Sequence, residues 1–84
     1  MENIPGLKAA IAAVVRQLRS EKHLSQQKLA DFAGLSRIHI AQIEGCKRNA
    51  TINALFLIGK VTKISLAELS VRIEAELREA GEKE

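Results

Sequence analysis

Two short apolar-periodic runs stand side by side in LSQQKLADFAGLSRIHIAQIEGCKR, Leu24 to Arg48. Each opens on a serine, Ser25 or Ser36, and Gly34 separates them. Serine side chains satisfy the free N–H groups of a helix start, so the spacing predicts one helix to about Ala33 and another to Glu44. Isolated helices below about 12–15 residues are marginal in water, so neither run holds its shape unless it buries one face. The inward face is Leu29, Ala30, Ala33, Leu35, Ile40 and Ile43. Ala30 is small where two helices must cross closely, and Gly34 allows a turn that a side chain would hinder.

The flanking sequence supplies the scaffold. Pro5 lies near a first helical position, where its missing N–H costs nothing. Leu7, Ile11, Val14, Val15 and Leu18 then recur at three and four, a helix running to about Lys22. His23 falls where a left-handed residue stops a helix. Thr51 caps a fourth helix with Leu55, Ile58 and Val61 on one face. Ser65 and Glu68 have the spacing of a capping box and open a fifth helix through Leu66, Leu69, Ile73, Leu77 and Ala80. No alternating run is long enough for a strand. The expected fold class is all-α, a compact five-helix bundle, with residues 1–84 as one domain.

Composition narrows the function. The chain is 46% hydrophobic and 27% charged, as a globular protein is. Its only aromatics are Phe32 and Phe56, so the core is aliphatic. Cys46 is the single cysteine, which excludes an internal disulfide and points to a reducing cytoplasm. No apolar stretch is long enough to span a membrane, and the N-terminus lacks the basic region of a signal peptide. Nothing looks catalytic: His23 and His39 stand sixteen residues apart with no carboxylate at useful spacing. A lone thiol excludes a zinc site of the usual kind, phosphate-loop and dinucleotide fingerprints are missing, and no cofactor is expected. Charge is uneven. Residues 1–65 carry ten Lys/Arg against four Asp/Glu, while residues 66–84 carry three against six. A basic body fits a polyanion, as it also fits an ordinary solvated surface, and the acidic end would face away from such a partner.

Two helices joined at a steep angle by a short glycine turn form a helix-turn-helix, whose second helix can enter a DNA major groove about 12 Å wide. The string RQLRSEKHLSQQKLADFAGLSRIHIAQIEGCKRNATINAL also resembles the Cro/phage-repressor (XRE-like) regulators, over roughly Val15 to Leu69. Leu-Ser-Gln, Ala-Gly-Leu-Ser, the Ile43–Glu44 pair and Lys47-Arg48 carry the resemblance. Arg37 and the string KRNAT are most similar to the small controller proteins of restriction–modification systems. The resemblance implies a lambda-repressor-like DNA-binding domain acting on double-stranded DNA. It puts Arg37, Ile38, His39 and Gln42 at base-reading positions, and Gln26, Ser36, Lys47, Arg48 and Asn49 at phosphate. It joins Arg19 to Glu44 in a buried salt bridge. Chemically, Arg37 suits guanine O6/N7, Gln42 suits adenine, and Ile38 suits a thymine methyl.

Departures from that family pattern bear on the loop. The family usually reads Glu-Arg-Gly-Lys where this chain has Glu44-Gly45-Cys46-Lys47. Either Cys46 takes a left-handed backbone or the helix ends sooner. Ala50 replaces a common proline, and Thr62 a common core leucine. The fifth helix, residues 65–80, exceeds what a minimal domain needs. Leu66, Leu69 and Ile73 can cover the domain's own core, but Leu77 and Ala80 are expected beyond its reach, so a homodimer through Ile64, Leu66, Leu69, Ile73 and Leu77 is expected. Repression by occluding a promoter and activation by touching RNA polymerase both stay open. A helix-turn-helix antitoxin whose main partner is a toxin is the alternative. It is disfavoured because only the fifth helix and the N-terminal residues are spare for such a partner.

Overall fold

The computed structural model describes residues 4–82, and over them the chain is five helices with no strand. They are α1 (Leu7–Glu21), α2 (Gln26–Ala33), α3 (Arg37–Glu44), α4 (Ile52–Thr62) and α5 (Leu66–Glu82). Capping chemistry sets the starts. Ser25, Ser36 and Thr51 each accept a hydrogen bond from the backbone N–H three residues on, at 3.0–3.1 Å. Ser65 does the same for Glu68 at 3.1 Å. The Glu68 carboxylate turns to Arg72 instead, so the box forms in one direction only.

Pro5 behaves differently from the sequence expectation. The helix starts at Leu7, and Pro5 and Gly6 form the middle of a tight turn closed by Leu7 N–H to Ile4 C=O at 3.1 Å. Gly6 sits at φ 78°, ψ 0°, which with proline before it selects a type II turn over a helical first turn.

The ends of α1 through α4 share one device. His23, Gly34, Cys46 and Lys63 all have positive φ, and the following residue donates its N–H back into the helix. These are Leu24 to Arg19, Leu35 to Ala30, Lys47 to Gln42 and Ile64 to Gly59, at 2.8–2.9 Å. Such caps satisfy last-turn carbonyls and turn the chain back on itself. Leu24, Leu35 and Ile64 then tuck against the core, whereas Lys47 stays exposed. The device is thus used three times to anchor the chain and once to turn a basic loop outward.

The core is aliphatic. Leu18, Leu29, Ile40, Ile43, Ile58 and Leu69 are fully buried, one or more from each helix. Thr62 is fully buried too, and its hydroxyl donates to the Ile58 carbonyl at 2.9 Å, so the polar atom is satisfied within α4. The junction of α4 with α5 is tight at Gly59. A Cβ there would stand 2.5 Å from the Ile64 carbonyl oxygen and 3.3 Å from Leu69 Cδ1. Gly59→Ala should therefore lower stability by about 3 kcal/mol, the upper end for overpacking, because backbone must move. A urea midpoint within a few tenths molar of the parent's would show that the junction gives way freely.

Candidate nucleic-acid interface

α3 is short and carries two chemistries. Ile40 and Ile43 face the core, while Arg37, Ile38 and Gln42 are exposed and His39 is half-buried. Ile38 is 62% exposed at a helix start. Ser36, also exposed, uses its hydroxyl to cap α3 through the His39 N–H at 3.0 Å. The oxygen thus already accepts, and among the described residues no acceptor takes the hydroxyl hydrogen.

The loop after α3 presents Lys47, Arg48 and Asn49, all exposed. Cys46 has φ 62° and Gly45 has φ −89°, so the cysteine holds the left-handed position where glycine is usual. The early glycine does not shorten α3, which runs to Glu44. Asn49 and Cys46 share a cleft with Ile4, Pro5 and Lys8, which brings the start of α1 beside the basic loop.

α3 is fastened to α1 by its last residue. Arg19 Nε and Nη2 donate to the two Glu44 carboxylate oxygens at 2.7 and 2.8 Å, and Nη1 donates to the Leu24 carbonyl at 3.0 Å. The Glu44 side chain is only 5% exposed and that of Arg19 24%. Hydrogen bonding to Glu44 holds the Arg19 guanidinium above its usual pKa, with burial opposing and charge attraction assisting. Arg16 adds a bond that sequence reasoning missed, from Nη1 to the Glu44 carbonyl oxygen at 2.6 Å. The spacing of Arg16 and Arg19, one turn apart on the same helix, is the signal that could have found it. Gln26, expected at phosphate, is half-buried and donates to Glu44 Oε1 at 3.2 Å.

The expected dimer residues divide. Leu69 is fully buried and Ile73 nearly so, both within the protomer's own core. Leu77 is also within reach of the core, contrary to expectation. It is half-buried, with Cδ2 3.7 Å from where a Gly6 Cβ would stand, because α5 lies along α1 as far as the turn at its start. Ile64 and Leu66 are half-buried and border an open apolar face. That face was not anticipated. Phe32 is 66% exposed and Phe56 55% exposed, and with Leu57 and Val61 they line two adjoining hollows along α4. The signal was present in Leu55-Phe56-Leu57-Ile58, since four consecutive apolar residues on a helix cannot all face one core.

Comparison with known proteins agrees with this geometry. The helix-turn-helix family profile matches residues 15–69. The control protein C.SmaI of Serratia marcescens is 35% identical over 66 residues, covering 79% of each chain. A mutant of the restriction–modification controller protein C.Esp1396I is 32% identical, with a TM-score of 0.77 over 84% of this chain and 95% of the other. The restriction–modification controller protein C.AhdI of Aeromonas hydrophila is 29% identical, with a TM-score of 0.70 over 74% and 94%.

Proposed function

Since this chain belongs to the helix-turn-helix family and is homologous to controller proteins, we propose that it is a sequence-specific, double-stranded-DNA-binding transcription regulator of the controller type. The observation that carries this reading is the two-sided chemistry of α3. One side is locked into the core by Ile40 and Ile43, and the other offers Arg37, Ile38 and Gln42 to solvent. An arginine, an exposed branched aliphatic and a glutamine match guanine, a thymine methyl and adenine in the major groove. Lys47, Arg48 and Asn49 flank that face as phosphate ligands, with Gln26 and the Ser36 hydroxyl at the other side. His39, half-buried, serves as a base-edge contact at the margin of the reading face.

The acting species is a two-fold homodimer on a partly palindromic duplex. One module of this size makes few phosphate contacts, and two joined modules engage half-sites about 34 Å apart. The face we assign to the second copy is centred on Phe32, Phe56, Leu57 and Val61, with Ile64 and Leu66 at its edge. Two largely exposed phenylalanines beside apolar neighbours form a patch that a solitary protomer would leave to water. Two of the named relatives are restriction–modification controllers, and control of restriction–modification genes is the role assigned here. RNA polymerase remains a partner of the activating version of that role.

Gel-shift titration of promoter duplexes from the source genome, against scrambled competitors in dilute buffer, tests the reading. Preferential retention that falls steeply with added salt is the expected result. Equal retention of all sequences would remove it. Within that assay Arg37→Ala should cost about 1–3 kcal/mol per half-site on the cognate duplex and relax preference at one base pair. A uniform loss across sequences would make Arg37 a phosphate ligand instead.

A further inference from the structure

We infer that Glu44 positions Gln26: the Arg19–Glu44 pair holds one N–H of the Gln26 amide so that the other is presented to a DNA phosphate. This rests on the DNA-binding reading above. Glu44 Oε1 accepts from Arg19 Nη2 at 2.8 Å and from Gln26 Nε2 at 3.2 Å. A carboxylate only accepts, so its presence fixes which end of the Gln26 amide faces inward. Nitrogen faces Glu44, and among the described residues no other acceptor takes the second N–H. Free in water, the same side chain would sample many rotamers, and fixing its nitrogen toward phosphate would cost entropy at the moment of binding. Arg19 is the necessary third member. Its charge cancels that of Glu44, so the orienting carboxylate does not repel the phosphate it serves. Glu44 therefore links the core of the domain to its contact with the DNA backbone. Residues from α1, α2 and α3 meet at that one group.

The test is a thermodynamic cycle on DNA affinity. Gln26→Ala should weaken cognate binding about tenfold, the loss of a charge-assisted hydrogen bond. Arg19→Met/Glu44→Met replaces the ion pair by apolar groups of similar length, a change that buried pairs often tolerate. It should weaken binding about as much, and adding Gln26→Ala to it should change little further. A full tenfold effect of Gln26→Ala in the Met/Met background would overturn the proposal, since Gln26 would then act without Glu44. Should the Met/Met chain fail to fold, the parent protein decides by NMR of the Gln26 side-chain amide. One amide proton should keep its free-state position when duplex is added while the other shifts. Movement of both, or of neither, rejects the positioning role. Absence of any duplex binding would instead reject the DNA-binding reading itself, so the two failures are distinct.

Discussion

A chain carrying Phe56→Glu should remain folded, sediment as a monomer at micromolar concentration, and bind its operator about 10²–10⁴-fold more weakly than the parent. Phe56 contributes little to the protomer's own core, being more than half exposed on α4. Stability of the single domain is therefore expected to change by less than about 0.5 kcal/mol, as for an ordinary surface site. A carboxylate at that position meets its own symmetry mate or an apolar neighbour, and either arrangement buries a charge without a partner. Once the dimer is lost, the second half-site contact is no longer intramolecular. Circular dichroism, sedimentation and operator titration read these outcomes separately. A dimer that survives Phe56→Glu would place the contact elsewhere. Leu77→Glu would not serve for this purpose, because Leu77 packs on the start of α1 and its loss perturbs the protomer first.

The second large effect concerns folding. Glu44→Ala should destabilise the domain by about 3 kcal/mol, the lower end for breaking a buried ion pair, because Arg19 keeps some access to water. Chains of this length have only about 4–13 kcal/mol in total. The loss has identifiable parts. Arg19 retains its bond to the Leu24 carbonyl but loses both carboxylate contacts, and Gln26 loses its acceptor. The Arg16 bond to the Glu44 backbone carbonyl survives. Arg19 has its pKa raised by the same contacts, so the stability it contributes is complete below its unfolded value and disappears only as pH rises through the folded one. That window is strongly alkaline, so no loss of the Arg19 charge is expected near neutrality. A urea midpoint shifted by less than the equivalent of about 1 kcal/mol would reduce the pair to a solvated surface bridge.

Local chemistry carries far along this chain. A serine or threonine three residues before a free N–H, and a period of three and four, located all five helices within a residue or two at most ends. His23 was legible as a left-handed position because a helix that must stop and reverse needs a residue with positive φ there, whereas for Cys46 the sequence left two alternatives open and the backbone chose the left-handed one. The helix-turn-helix was legible for the same reason, since two runs too short to stand alone and joined by Gly34 have few ways to bury their apolar faces. Pro5 was misplaced because a proline followed by glycine satisfies two local rules. Gly6, held at φ 78°, chose the turn over the helix start.

Exposure is a different matter, and periodicity ranks it poorly. Leu69, Ile73 and Leu77 share one stripe of α5, and spacing put Leu77 beyond the core although it packs against it. Phe32 and Phe56 were left unassigned by periodicity, and both prove to lie outside, more than half exposed. The amino-acid order by itself determined where most of the helices begin and end, and which side of α3 is chemically able to meet a base. Those are properties of the nearest few residues. Tertiary structure alone decided which apolar groups stay open for a second copy and how Arg16, Arg19 and Gln26 converge on Glu44, because both depend on distances between helices far apart in the chain.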